Sequence, residues 1–197
     1  MRGFSHRGCS KMKQPITITY FVHGTTTDNE HGIASGWKDA GLSTLGIKQS
    51  IDLKGQTNIK GFTVVFCSDL KRAVESAKLT FKGSTTILQD KRLRECNYGN
   101  LNGASTATVD GLGDSIIEQP FPNGESYRDV EKRIRGFLKD LKKNYAGKHV
   151  AIVAHKAPQL ALDVIIKGKT WKQAMKEDWR HTHAWKPGWE YIFENYK

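Results

Sequence analysis

Three short runs of β-branched and aromatic residues set the terms for this chain: Ile16–Val22, Phe62–Phe66 and His149–Ala154. Such residues fit a pleated, buried surface, so each run reads as a strand inside a sheet, with Pro15 bounding the first. Between the runs, apolar residues recur at the spacing of one helix face: Leu70, Ala73, Val74 and Ala77, then Tyr127, Val130, Ile134, Phe137, Leu138, Leu141 and Tyr145. Shorter strands are expected at Thr85–Gln89 and near Tyr191–Phe193. Strands alternating with helices predict an α/β protein. Its expected form is a three-layer α-β-α sandwich with a mostly parallel sheet, covered on both faces.

The punctuation adds detail. Ser43 or Thr44 can cap a helix carrying Ile47, Ile51 and Leu53 that ends near Gly55, and Ser68 is the expected N-cap of the Leu70–Ala77 helix. Gly124-Glu125-Ser126 opens the strongest helix, and Pro158 opens another that closes at Gly168. The stretch from Asn100 to Asn123 is rich in Gly, Asn, Ser and Thr and has no clear period. It is expected to be a long loop or small cap over a site.

Composition narrows the partners. The 197 residues carry a net charge of +11 and are 38% hydrophobic, enough for one core. Residues 1–14 hold five basic groups and no apolar stretch, which reads as a disordered basic lead-in to a single domain over 15–197 with an insertion near 100–123. No apolar run approaches the ~20 residues of a membrane span, so no membrane partner is expected. Cys9, Cys67 and Cys96 are an odd count without a Cys-x-x-Cys pair, which points to a reducing, cytoplasmic setting. The positive surplus favours anionic partners, from nucleic acid to phosphorylated small molecules. A homodimer is compatible with all of this.

Two of the strands end in a histidine, His23 and His155, and a third runs into the turn from Cys67 to Arg72. In a parallel sheet those ends share one edge, so two imidazoles and an arginine can converge there. Glu95 follows the next strand. Such a set has a chemical logic: a neutral imidazole attacks phosphorus, cations hold the oxygens, and a carboxylic acid protonates the leaving alkoxide. Gly24 would let a ligand approach the backbone, and the hydroxyls from Thr25 onward suit an oxyanion.

Six motifs in order over about residues 16 to 168 then resemble the histidine phosphatase superfamily, which includes phosphoglycerate mutases. They are His23-Gly24-x-x-x-x-Asn29, Gly36-Trp37-x-Asp39-x-x-Leu42-x-x-x-Gly46, Ser68-Asp69-Leu70-x-Arg72-Ala73-x-Glu75-x-Ala77, Leu93-Arg94-Glu95-x-x-x-Gly99-x-x-x-Gly103, Gly124-Glu125-Ser126 and Val153-Ala154-His155. The resemblance implies a phosphoglycerate mutase-like fold, with His23 as the phosphorylated nucleophile, His155 as the second pocket histidine and Glu95 as general acid. It implies that Arg72 and Asn29 bind phosphate, with Gly24, Thr25 and Gly36 around them. It implies a phosphorylated small-molecule substrate and no metal or other cofactor. Because the segment between Gly103 and Gly124 is short, the chain resembles the phosphatases more than the mutases.

Two positions depart from the pattern. Val22 stands where the family has an arginine, and Lys156 where it has a glycine. Lys156 is a candidate to restore the lost charge in the phosphate pocket; the alternative is a weakened or inactive protein that binds phospho-ligands in a regulatory role. A phosphoglycerate mutase-type transferase and, less favoured, a basic nucleic-acid binder using Trp171, Trp179, Trp185 and Trp189 also remain open. Gly168-Lys169-Thr170 reads as a helix end rather than a phosphate loop. Cys67 and Arg72 miss the cysteine-phosphatase spacing by one residue, and His181-Thr182-His183 reads as packing in an aromatic-rich segment rather than a metal site.

Overall fold

Alternate residues of the first apolar run feed two different cores. In β1 (Ile16–Val22), Ile16, Ile18 and Tyr20 join one cluster with Val150, Ile152 and Ala154, whereas Phe21 joins a second with Val65, Cys67, Ala151 and Val153. That two-residue period, apolar on both faces, is what a central strand of a covered parallel sheet requires. The computed structural model describes residues 14–58, 61–182, 184 and 186–194. The lead-in expected over 1–14 therefore lies outside the described residues, apart from Gln14.

The sheet has five strands in the order β4 (Ile87–Gln89), β3 (Val64–Cys67), β6 (His149–Ala154), β1 and β7 (Trp189–Phe193). β1, β3, β4 and β6 are parallel, and β7 runs antiparallel along β1. On one face lie α5 (Tyr127–Asn144) and α6 (Lys156–Lys167), whose Val130, Ile134, Phe137, Leu138, Leu160 and Ala161 are buried in the larger cluster. On the other lies α3 (Lys71–Phe81), with Ala77 and Phe81 in the smaller one, and α2 (Thr44–Gln56) packs outside it. The mostly parallel sandwich is as expected.

Local differences have local causes. Ser43 caps α2, but Ile47 and Ile51 face solvent. The buried residues of α2 are small, Gly46 and Ser50, because this helix lies directly against the loop that follows β1. Ser68 does not cap α3. The helix begins at Lys71 after Leu70, and the Ser68 hydroxyl instead accepts from the Leu70 N–H, while Asp39 accepts from Lys71 N at 2.7 Å. α6 starts at Lys156, before Pro158, and Gly168 closes it in the left-handed conformation with φ 70°. Thr170 then caps α7 (Trp171–Lys176), so Gly168-Lys169-Thr170 is a joint between helices.

The stretch from 100 to 123 is folded rather than a plain loop. It holds β5 (Ala104–Ser105), α4 (Thr106–Asp110) and a 3₁₀ turn over Gly113–Ile117, and Val109, Ile116, Ile117 and Phe121 are buried. β5 pairs with β2 (Ile33–Ala34), which follows α1 (Thr27–Glu30), so these pieces meet beside the ends of the parallel strands. Elements of two to five residues are too short to show a period. Among the described residues no helix is long and apolar enough to cross a membrane.

Gly46 gives a direct test of this packing. A Cβ there would lie 1.9 Å from the Thr25 carbonyl oxygen. Gly46→Ala is expected to lower stability by about 1–3 kcal/mol, read as a fall in the thermal unfolding midpoint.

Candidate active site

The two strand-end histidines meet. His23 follows β1, its N–H bonded to the Ala154 carbonyl of neighbouring β6, and His155 follows β6. Their ring centroids are 5.0 Å apart and tilted by 59°. His155 is held by its backbone: its N–H donates to the Tyr20 hydroxyl at 2.9 Å, and that hydroxyl donates to its carbonyl at 2.6 Å. His23 is held by its ring, with Nδ1 at 2.7 Å from the Gly24 carbonyl oxygen. A carbonyl can only accept, so the proton sits on Nδ1 and Nε2 carries the lone pair.

Both imidazoles are kept neutral. Burial first, then the Arg72 charge and more weakly Arg180, bring His23 down to about 3, against the upward pull of the Gly24 carbonyl. Burial also drives His155 well below the ordinary histidine range, helped by Arg72, His23, Arg133 and Arg180. Among the described residues, neither nitrogen of His155 has a hydrogen-bond partner. A buried imidazole with both nitrogens unpartnered is held ready for a polar ligand.

Around them is a cavity of about 480 Å³ whose lining includes Val22, Thr25, Asn29, Gly36, Arg72, Glu95, Asp110, Lys156 and Arg180. Arg72, the second residue of α3, is almost wholly buried and is fixed by Nη1 to the Lys38 carbonyl at 2.9 Å and Nη2 to the Gly36 carbonyl at 2.7 Å. Gly36 is required there: its φ is +53°, and a Cβ would lie 1.9 Å from Asn102 Oδ1. Asn29 Oδ1 accepts from the Thr26 N–H while its own N–H returns to Thr26 Oγ1, a reciprocal cap on α1 that leaves the amide nitrogen as the outward end. Thr25 lines the cavity, but both its N–H and hydroxyl donate to Gln49 Oε1 at 2.9 Å.

Gly24 has a different role from the one expected. Its N–H donates to Ser76 Oγ, and a Cβ would lie 2.4 Å from the Gly46 carbonyl oxygen. It makes room for α2 rather than for a ligand, and it borders a second hollow of about 330 Å³ instead of the main cavity.

Glu95 is fastened more tightly than a strand-end position suggests. Its Oε1 accepts from the N–H groups of Cys96 at 2.8 Å and Ala157 at 3.0 Å, and Oε2 accepts from Lys156 N at 3.0 Å. The carboxylate thus satisfies the first amides of α6 directly behind His155. Its main-chain carbonyl accepts from Trp37 Nε1 at 2.7 Å and Arg133 Nη2 at 2.9 Å. Arg133 is in turn paired with Glu125, which explains the chemistry of the Gly124-Glu125-Ser126 motif: it braces Glu95.

Lys156 lines the cavity with its ammonium 3.3 Å from Asp110 Oδ1 and 3.9 Å from Asp178 Oδ2. Two charged residues of the cavity wall are not among the candidates named from the sequence, Asp110 and Arg180. Arg180 lies on α8 (Trp179–Thr182), in the aromatic segment taken for packing. The available signal was Val22 itself, since a pocket lacking one cation invites a search along the whole chain. Trp171 is buried with Nε1 on Glu131, and Trp179 stacks on Trp189, so these two rings pack within the protein. Trp185 and His183 lie outside the described residues. Among the described residues no group of three or more His, Cys, Asp or Glu could hold a metal ion. Cys67 is buried, and burial followed by Asp69 pushes its thiol up to about 11, so it is no thiolate nucleophile near neutral pH.

A family model of the histidine phosphatase superfamily (branch 1) matches residues 20–185. The chain belongs to the histidine phosphatase superfamily. It is 32% identical to the "Probable fructose-2,6-bisphosphatase TIGAR A" of Danio rerio over 67% of this chain and 56% of that one. It is 27% identical to a 2,3-bisphosphoglycerate-dependent phosphoglycerate mutase of Methylorubrum extorquens, over 76% and 78% of the two chains. Among solved structures, a mycobacterial glucosyl-3-phosphoglycerate phosphatase complexed with VO3 superposes with a TM-score of 0.67 at 25% identity, covering 82% of this chain and 85% of that one.

Two neutral histidines, His155 buried and His23 half-buried, give this superfamily member a pH signature. In the unfolded chain His23 takes up a proton near 6.5, whereas in the folded chain it resists until about 3. The unfolded state therefore binds more protons between those values, and stability is lost as pH falls through that window. The unfolding midpoint is expected to drop from about pH 6.5 downward, before carboxylates with pKa values near 4 contribute. His23→Ala should make that drop shallower; an equal drop in both proteins would refute the assignment.

Proposed function

We propose that the protein hydrolyses phosphate monoesters through a phosphohistidine on His23. The carrying observation is the His23 ring: proton fixed on Nδ1 by the Gly24 carbonyl, Nε2 deprotonated, and His155 and Arg72 beside it in one cavity. In the first step Nε2 attacks phosphorus and the bond to the leaving oxygen breaks. Arg72, Asn29 and neutral His155 hold the other phosphoryl oxygens, and Glu95 gives its proton to the leaving alkoxide. Oε2, which takes one amide where Oε1 takes two, is the atom suited to carry that proton. In the second step water attacks phosphorus, the P–N bond breaks, Glu95 takes the water proton and His23 returns to its neutral form.

That the mycobacterial relative is complexed with VO3 supports reading this pocket as an oxyanion site. A phosphorylated small molecule in a cytoplasmic setting fits the size of the cavity, and α4 with the 100–123 insertion would form its specificity wall through Thr106, Val109 and Asp110. Hydrolysis of p-nitrophenyl phosphate with rapid-quench detection of an acid-labile phosphoenzyme is the test. Turnover through such an intermediate is expected. Turnover without it would exclude the mechanism, and phosphate binding without turnover would favour the regulatory binder that Val22 suggests.

A further inference from the structure

A dianionic phosphoryl group needs fixed cations, and β1 offers none, because Val22 is half-buried and packs against the larger core. Among the described residues, the cations in the cavity wall are Arg72, Lys156 and Arg180. Arg72 turns both Nη groups to main-chain carbonyls. The Lys156 ammonium sits between two carboxylates, one of them Asp110 on α4, and it is a point charge without a fork. Arg180 is built differently.

Its guanidinium stands on a fixed base. The Asp178 carboxyl beneath it is fully buried, accepts from Arg180 Nη1 at 2.8 Å and takes the Arg180 backbone N–H at 3.2 Å. Gln159, on α6, meets the same Nη1 at 3.5 Å and also accepts from Trp179 Nε1 at 3.2 Å. The Arg180 guanidinium carbon lies 4.5 Å from the centroid of the Trp179 ring, and that ring stacks on Trp189 of β7 with centroids 5.3 Å apart. A planar fork bracketed by a buried carboxylate and an aromatic face loses little freedom on binding an oxyanion. Its charge also reaches the reacting centre, since Arg180 acts on both His23 and His155.

We propose that Arg180, mounted on Asp178, supplies a second guanidinium that binds the reacting phosphoryl group beside Arg72, in place of a cation at position 22. Asp178 and Gln159 hold the Nη1 end, and the Nη2–Nε edge is assigned to the phosphoryl oxygens. Asp178 is then a positioning residue, tying α8 to the cavity. The inference rests on phosphate being the ligand of this site but does not require that the ligand be turned over.

The test is therefore binding of inorganic phosphate, measured by titration calorimetry, alongside p-nitrophenyl phosphate hydrolysis. Arg180→Ala is expected to weaken phosphate about 10- to 100-fold and to lower kcat/KM by a similar factor. Arg180→Lys, which keeps the charge but not the fork, should recover only part of the loss. Should Arg180→Ala fail to fold, Arg180→Lys carries the test, with several-fold weaker binding expected. Unchanged phosphate affinity in the folded Arg180 variant overturns the proposal, as does a larger loss in Lys156→Ala than in Arg180→Ala or a wild type that binds no phosphate. If phosphate binding depends on Arg180 but no variant, wild type included, hydrolyses the ester, the phosphatase reading falls and the Arg180 assignment stands.

Discussion

His23→Ala is expected to abolish phosphate-monoester hydrolysis, by about 10⁴-fold or more, because it removes the group assigned the covalent step. His155 is the nearest imidazole, with its ring centroid 5.0 Å away, but it sits deeper, is almost wholly buried and is fixed at its backbone by Tyr20. Cys67 is a buried thiol rather than a thiolate. The phosphoenzyme signal in rapid-quench experiments should vanish together with turnover. Folding should be little affected at neutral pH, since the His23 side chain makes one hydrogen bond, to its neighbour Gly24. Retention of more than about a hundredth of the wild-type rate would exclude His23 as nucleophile, given what nucleophile removal ordinarily costs.

Glu95→Gln should show two losses at once, and their separation is the informative part. The carboxylate accepts from three main-chain N–H groups. A glutamine keeps one accepting oxygen and turns an NH₂ toward the donors left over, so at least one amide at the start of α6 loses its acceptor. That should lower stability by about 1–3 kcal/mol, seen as a reduced denaturation midpoint. Loss of the proton donor should lower kcat about 10²- to 10⁴-fold for a substrate with a poor leaving group such as an alkyl phosphate. A good leaving group needs little protonation, so p-nitrophenyl phosphate should suffer less in the first step. Equal losses with both esters would mean that Glu95 serves only as a brace.

How much of this was legible depends on the length of the element that carried it. Seven-residue β1 and eighteen-residue α5 exceed the period of their own geometry, so their patterns declare them. The order of histidine, arginine and glutamate at successive strand ends carried the candidate site, because a parallel sheet brings such ends to one edge. The pieces over the cavity were illegible for the opposite reason, as β5 and α4 span two and five residues. Gly24 was read as an opening for a ligand when the close neighbour is α2, which only tertiary packing reveals. Ser68 looked like a cap because residue type suggests one, but Asp39, a distant residue, supplies the bond to Lys71. Arg180 is illegible in the sequence because adjacency to His155 favours Lys156 as the replacement charge, whereas only the fold brings α8 back to the cavity.

The sheet order has one more consequence, for how the molecule comes into being. β1 precedes the other strands of the sheet along the chain, yet its two partners are β6, beginning at His149, and β7, beginning at Trp189. Both pairings close very long loops, which costs chain entropy and slows formation. The strand that presents His23 therefore waits, apolar and with both edges bare, until β6 and β7 are available. Any product ending before Trp189 leaves one of those edges open for good, a template for pairing with another chain. Presentation of His23 is in this way a late event of folding, because β1 is framed on both sides only once β6 and β7 have joined it.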